Sequence, residues 1–281
     1  MVRHEDKGNG MDWIESKLGE FRLYLEEHER AASTIDSYLM AAKIYFRRYE
    51  ELSKANMIDF KHWLVESYRP KTAALRCVAM NVYCDFAGRP DCKVRGVKLS
   101  RATTVENVIS MDEYEYLLAR LAEDKAWKVY FMVKFLAGTG CRASELAKLK
   151  KSCLETGEFT MWTKGKIRKI WIPESLLAES RGFLGGLDTE FLFPNKYGEQ
   201  ISVRGIRTQI KRYGLRYGIR PEVLHPHAFR HMFAVQFLKN NQNIALLSDI
   251  LGHESLSTTA IYLRLSAEEQ KREVDGTVTW V

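Results

Sequence analysis

Along residues 11–29 the apolar side chains Trp13, Ile14, Leu18, Phe21 and Leu25 return every three or four positions, the spacing that gathers them on one helical face. The period continues through 34–49, where Ile35, Tyr38, Leu39, Ala42, Tyr45, Phe46 and Tyr49 form the stripe. Further helices are predicted over 55–67 and 71–87, with Pro70 at the head of the latter, where a missing N–H does no harm. Four amphipathic helices with short links make a small helical bundle over 11–88. The polar residues 1–10 read as a flexible tail and lack the apolar stretch of a secretion signal. At 89–108 the period disappears. Pro90, Gly96 and a mostly positive set of charges mark a linker. A basic linker between two globular parts suits a chain that closes around a polyanion.

The pattern resumes in a second domain, 109–281. Ser110 followed by Glu113 is a capping-box signature, and helices are predicted over 111–123 and 127–137. Gly138 and Gly140 then punctuate the chain, and a helix begins near Arg142. A guanidinium there would add to a helix dipole that already attracts anions, although a surface arginine beside an ordinary turn reads equally well. Residues 158–172 alternate apolar and polar on either side of Lys164-Gly165-Lys166, which predicts a β-hairpin with a cationic tip. A helix near 174–183 and a short strand at 191–193 follow. The stretch 202–218 contains no acid: Arg204, Arg207 and Lys211 fall on one helical face, Val203, Ile206, Ile210 and Tyr213 on the other. Such a stripe is a candidate for tracking phosphates or entering a major groove. Helices are expected over 227–239 and 243–251, the second closed by Gly252, then a short helix carrying Tyr262, a last helix capped by Ser266 and Glu269, and an apolar tail at 278–281. The fold class is mainly α with a small β-hairpin, in two domains, since 281 residues exceed what one core usually holds.

Charge sharpens this picture. The formal net charge of +7 favours a polyanionic partner, nucleic acid first. Lys43, Arg47, Arg48, Lys61, Lys71 and Arg76 line the exposed faces of the bundle. A solvated surface is the simpler reading of any one of them, and Lys43, Arg47 and Lys71 are the DNA-contact candidates. The five cysteines are odd in number and none forms a C-x-x-C pair, which points to buried thiols in a reducing compartment and not to disulfides or structural zinc. No apolar run approaches ~18 residues, so no membrane span is expected. The expected location is the cytoplasm, at the nucleoid.

Candidate chemistry concentrates between His225 and Tyr262. His227 and Arg230, three apart, share a helix face; Gly252-His253 ends a helix; Tyr262 follows nine residues later. Transesterification of a phosphodiester needs a nucleophile, charge neutralisation on the non-bridging oxygens and an acid for the leaving oxygen. Arginine suits the second task because its fork grips two oxygens and stays protonated, and Arg142 and Arg230 are the candidates. His227 and His253 can exchange protons or donate to a phosphate. Tyrosine needs cationic neighbours and a base, because its free pKa is about 10. His225, His227 and His231 lie close together, but no glutamate follows the first and no carboxylate lies in the run, so neither a zinc site nor a two-metal nuclease is supported. His225 and His231 are read as scaffold.

Five pieces in this order, Thr139-Gly140-Cys141-Arg142-Ala143-Ser144-Glu145-Leu146, Thr163-Lys164-Gly165-Lys166, His227-Ala228-Phe229-Arg230-His231, Leu251-Gly252-His253 and Thr258-Thr259-Ala260-Ile261-Tyr262, resemble the tyrosine recombinases, also called the phage-integrase family. The likeness is strong over 109–264, and 11–88 resembles that family's core-binding domain by pattern. The resemblance implies a catalytic domain at 109–281 in which Arg142 and Arg230 clamp the scissile phosphate. Glu145 supports the first arginine, and Lys164 (with Lys166 the alternative) is the general acid. His227 assists proton transfer at the tyrosine, His253 hydrogen-bonds the phosphate, and Tyr262 forms a 3′-phosphotyrosyl bond. It implies no cofactor, no metal and no ATP, and double-stranded recombination sites as the partner. The assembly is a homotetramer on two sites that passes through a Holliday junction, a monomer or weak dimer when free, with accessory recombination factors as further partners. Without an arm-binding domain ahead of 11–88, the chain looks like the Xer-like two-domain form, and Trp280 and the apolar tail would pack on a neighbouring subunit. Two other readings stay open: a DNA-binding member that has lost catalysis, though none of the motif residues is missing, and an enzyme like type IB topoisomerases or telomere resolvases.

Overall fold

The computed structural model describes residues 8–99, 108–163, 166–252, 256–263 and 275–276, with the backbone alone at 8–13, 162, 163, 166, 257 and 263. The chain divides into two compact units, Met1–Arg101 and Ala102–Val281.

The first unit is built from α1 (Gly8–Glu27), α2 (Ala32–Phe46), α3 (Lys54–Ser67) and α4 (Pro70–Phe86). Ser53 caps α3 by accepting the Asn56 N–H at 3.2 Å. The apolar stripes meet in an aromatic core in which Phe21 and Phe46 each set an edge against Tyr83, and Tyr45 packs edge-on to Phe60. Two boundaries differ from expectation. The tail expected over 1–10 is already helical from Gly8, and its first seven residues lie outside the described ones. The linker expected from 89 begins later, because Cys92 and Val94 are buried in this core. Asn81 holds that segment, donating to the Val94 carbonyl at 2.9 Å and accepting the Val94 N–H at 3.0 Å.

The second unit opens with α5 (Met111–Glu123), whose capping box is formed in full: Ser110 Oγ accepts the Glu113 N–H, and the Glu113 carboxylate accepts the Ser110 N–H. Next comes α6 (Trp127–Thr139), buried nearly all round through Val129, Phe131, Met132, Val133, Phe135 and Leu136, as befits a central helix. Two short helices follow, α7 (Ala143–Leu146) and α8 (Cys153–Thr156). β1 (Glu158–Thr163) pairs antiparallel with β2 (Lys166–Trp171) in a register that sets Glu158 opposite Trp171 and Thr163 opposite Lys166. The remainder is α9 (Glu174–Gly185), α10 (Val203–Arg216), α11 (Pro226–Asn240), α12 (Ile244–Leu251) and α13 (Leu256–Thr259), with short 3-10 turns at Pro221–Val223 and Ala260–Leu263.

The strand expected at 191–193 is only an isolated bridge between Lys150 and Phe191, because Leu192 and Phe193 turn into the core after this short pairing. Tyr262 sits on the 3-10 turn after α13, not on a helix proper. The expected last helix at 266–269 and the tail with Trp280 lie outside the described residues. No helix among those described is long and apolar enough to cross a membrane.

Candidate active site

Three distant segments converge on the end of α12. The first is the turn after α6. Thr139 closes that helix, its hydroxyl donating to the Phe135 carbonyl at 2.6 Å and accepting the Cys141 N–H at 3.2 Å. Gly140 follows in the left-handed region (φ +62°), where an added methyl would stand 2.6 Å from Phe233 Cδ1. Arg142 then heads α7. Its backbone N–H donates to Glu145 Oε2 at 2.6 Å, and its Nη1 donates to Oε1 at 3.0 Å. The second segment is β2, whose Arg168 is buried and paired with the same Glu145 oxygen. The third is α11, which begins where the His225 ring nitrogen Nδ1 accepts the Ala228 N–H at 3.1 Å and which carries Arg230 into the interior.

The carbonyls in the last turn of a helix have no helical N–H to accept from, and the dipole there favours cations. At α12 they are taken in succession by three arginines. Arg168 Nη2 donates to the Ile250 carbonyl at 2.9 Å, Arg230 Nη2 to Leu251 at 2.7 Å, and Arg142 Nη2 to Gly252 at 3.0 Å. Arg230 also donates through Nη1 to the Gly140 carbonyl at 2.6 Å. Gly252 makes the close packing feasible: it adopts φ +61°, and a methyl there would meet Arg168 Cδ at 2.6 Å.

Two of these guanidiniums, Arg142 and Arg168, therefore share the Glu145 carboxylate. Burial alone would raise the Glu145 carboxyl, but the charges of Arg168 and Arg142 and the Arg142 N–H outweigh it, and the group stays below its ordinary range. Arg230 is pushed down to about 10, first by burial and then by Arg142 and Arg168, with Glu145 and Tyr262 opposing. It still carries its proton at neutral pH. The positive charge that depresses Arg230 is relieved by an incoming anion. Arg142 keeps 32% of its side chain exposed, against 6% for Arg168, so solvent reaches the cluster through Arg142.

Tyr262 packs against a small apolar cluster of Ala234, Leu238, Leu247 and Leu251. Its hydroxyl lies 2.6 Å from His231 Nδ1. Burial raises the phenol above its ordinary value, and Arg230 pulls it partly back. His231 thus corrects an expectation: read as scaffold from sequence, it is the hydrogen-bond partner of Tyr262, because α11 turns that face toward the 3-10 turn. His227, expected to serve the tyrosine, lies within electrostatic reach of Arg230, Arg207 and Arg142. Burial first, and those charges with His225 second, lower its ring below the ordinary range. Lys164 and His253 lie outside the described residues. Among the described residues no group of three or more His, Cys, Asp or Glu is placed to hold a metal ion.

Arg204, Arg207 and Lys211 are exposed on α10 while Ile206 and Ile210 are buried; of the three, Arg207 acts electrostatically on His227. In the first unit Arg47 and Lys71 are exposed and Lys43 is half-buried. Arg48 and Arg76 are engaged on aromatic faces, Arg48 over Trp63 at 4.8 Å and Arg76 over Tyr68 at 3.8 Å. Arg168 is the site residue that sequence reasoning missed. A signal existed: in β2 it shares parity with the buried Ile170, whereas Ile167 and Trp171 are exposed. An arginine on the inward face of a strand needs a carboxylate partner.

The phage integrase family model matches residues 107–269. The chain is 30% identical to tyrosine recombinase XerA of Pyrococcus furiosus over 270 residues, 92% of either chain. It is 32% identical to tyrosine recombinase XerC of Salmonella typhi over 213 residues, 70% of either. Its fold is shared with the Tn1549 transposon integrase in complex with circular intermediate DNA, at TM-score 0.73 and 17% identity, over 92% of this chain and 99% of that one. It is shared also with a lambda integrase tetramer bound to a Holliday junction, at TM-score 0.69 and 18% identity, over 89% and 76%. The chain belongs to the phage integrase family and is a site-specific tyrosine recombinase of the Xer-like type.

Proposed function

We propose that strand transfer by this recombinase runs through Tyr262, with Arg142 and Arg230 as the clamp on the scissile phosphate and Glu145 holding Arg142 in place. The observation that carries this reading is the anchoring of arginines from three segments on the successive carbonyls of Ile250, Leu251 and Gly252, which gathers a cationic cluster whose Arg230 acts electrostatically on Tyr262. Guanidiniums held in advance neutralise the non-bridging oxygens without reorganising as negative charge develops. Tyr262 attacks phosphorus and forms the 3′-phosphotyrosyl bond; the 5′-hydroxyl of a partner strand later attacks that bond and reseals the DNA. Bond energy is kept throughout, so ATP is not consumed. By family resemblance, Lys164 protonates the leaving 5′ oxygen and His253, the neighbour of Gly252 in the chain, hydrogen-bonds the phosphate. His227 belongs to the phosphate side of the pocket, given its coupling to Arg230 and Arg142.

The working assembly in this reading is a homotetramer on two double-stranded sites at the nucleoid, a monomer or weak dimer when free, with accessory factors joining it there. Support comes from the lambda integrase tetramer on a Holliday junction, which has the same fold. DNA contacts fall to the basic face of α10 and to Lys43, Arg47 and Lys71.

The test is covalent capture. Incubated with a pool of nicked random-sequence duplexes, the wild-type protein yields an adduct that survives denaturation, and Tyr262→Phe yields none. On the captured sequence, Arg142→Ala slows cleavage by ~100-fold or more while gel-shift affinity stays within several-fold. An adduct from Tyr262→Phe refutes the assignment.

A further inference from the structure

We infer that His231 takes the proton of the Tyr262 hydroxyl as the tyrosine attacks DNA. The inference rests on the reading above, in which Tyr262 is the nucleophile, and adds the acceptor which that reading leaves unnamed.

Geometry carries it. The His231 Nδ1 to Tyr262 hydroxyl distance is 2.6 Å, within the reach required of a general base, and the two rings lie 5.5 Å apart. The contact spans 31 residues of sequence and is made by packing: α11 lies against the 3-10 turn Ala260–Leu263, and the tyrosine ring is seated on the apolar cluster of α11 and α12. In the tautomer with its hydrogen on Nε2, the imidazole offers Nδ1 as acceptor and the phenol donates. The ring is kept neutral by burial first, then by His227, His225 and Arg230, which hold it down to about 4. A neutral imidazole is the form that can accept a proton. His227, one turn earlier on α11 with its ring 6.1 Å from that of His231, is coupled to the arginines instead.

The step balances. The Tyr262 O–H bond breaks and its proton passes to His231 Nδ1. The freed electron pair forms the bond to phosphorus as the bond from phosphorus to the 5′ oxygen breaks. That oxygen leaves with a proton from Lys164, the acid in the reading above. A positive imidazolium beside Arg230 is costly in the DNA-free protein. The negative charge that builds on the phosphoryl oxygens offsets it during attack. In the resealing direction the same imidazolium returns its proton to the departing phenolate.

The experiment uses the full chain and the nicked duplex that wild-type protein captures covalently, made in two forms, one with the ordinary 5′ oxygen at the scissile bond and one with sulfur there. A sulfur leaving group needs no acid, so it restores variants that lack the acid and leaves unrestored those that lack the base. His231→Ala and His231→Gln are both expected to bind the duplex as wild type does and to cleave the oxygen substrate at least ~100-fold more slowly, without rescue by sulfur. Glutamine fills the site and keeps a hydrogen bond to the phenol but takes no proton at neutral pH. Full cleavage by His231→Gln would mean that the histidine only holds the ring, and this overturns the inference. Cleavage by His231→Ala within about threefold of wild type overturns it too, as does rescue by sulfur. Failure of the wild type to form any adduct, or an adduct with Tyr262→Phe, would instead remove the nucleophile reading on which it stands.

Discussion

Glu145 is the residue on which the site's charge balance turns. Its carboxylate is buried, accepts from Arg142 and pairs with Arg168. Removing one partner of a buried ion pair leaves an uncompensated charge and costs on the order of 3–5 kcal/mol. Glu145→Gln keeps the shape and loses the charge, so it should lower unfolding stability by about 3 kcal/mol, read as a shift of the urea midpoint. An unchanged midpoint would show that the arginines are neutralised elsewhere. The residues proposed to bear on phosphate, Arg142 and Arg230, were legible in sequence because each lies inside a short motif of its own. Arg168 and His231 were less so. Arg168 is separated by 23 residues from the carboxylate that explains it, and its strand parity was obscured by apolar residues on the exposed face. His231 sits four residues from His227, and only the packing of α11 against the tyrosine's turn decides between them.

Among elements, α10 shows how amphipathic pattern becomes a surface. Its buried positions Ile206, Ile210 and Gly214 fix the rotation of the helix, and Gly214 leaves room for Leu224, which an added methyl would meet at 2.1 Å. With the rotation fixed, Arg204, Arg207 and Lys211 must face solvent. Replacing all three with glutamine should weaken binding to the captured duplex and reduce the slope of log affinity against log salt by up to ~3, one unit per lost phosphate contact. Fluorescence anisotropy across a salt series measures it; an unaltered slope would exclude this face from the interface. The long helices were read from sequence to within a few residues, because a sustained 3.6-residue period survives context. Short elements were not. α8 was unforeseen, and the strand expected at 191–193 shrank to a bridge, since apolar runs of three residues serve the core equally well in either form.

At the scale of the whole molecule, three histidines at the start of α11 make stability depend on pH. His225, His227 and His231 all have rings held below the ordinary range, with burial the first cause in each, and His231 is lowered from 6.5 to about 4. Between those two values the unfolded chain binds the His231 proton and the folded chain does not. The stability it contributes is therefore complete above pH ~6.5 and is lost as pH falls through ~4. The urea midpoint should drop between pH 7 and pH 4, and His231→Gln should flatten part of that drop. An equal drop in both proteins would place the proton uptake elsewhere. At this scale the chain divides into two compact units. What composition could not reveal is that residues 92–94 belong to the first core, since a Gly- and Pro-punctuated stretch looks the same whether it docks or dangles.

The anchoring of three arginines on the carbonyls of residues 250, 251 and 252 also restricts how this protein can change length. Each residue added to a helix rotates everything beyond it by about 100° and advances it by about 1.5 Å. A single insertion inside α12 would swing all three acceptors off their donors together, whereas one in the short stretch 241–243 before the helix would leave their mutual arrangement intact. The number of residues from Ile244 to Gly252 is thus held constant by side chains drawn from three other parts of the sequence.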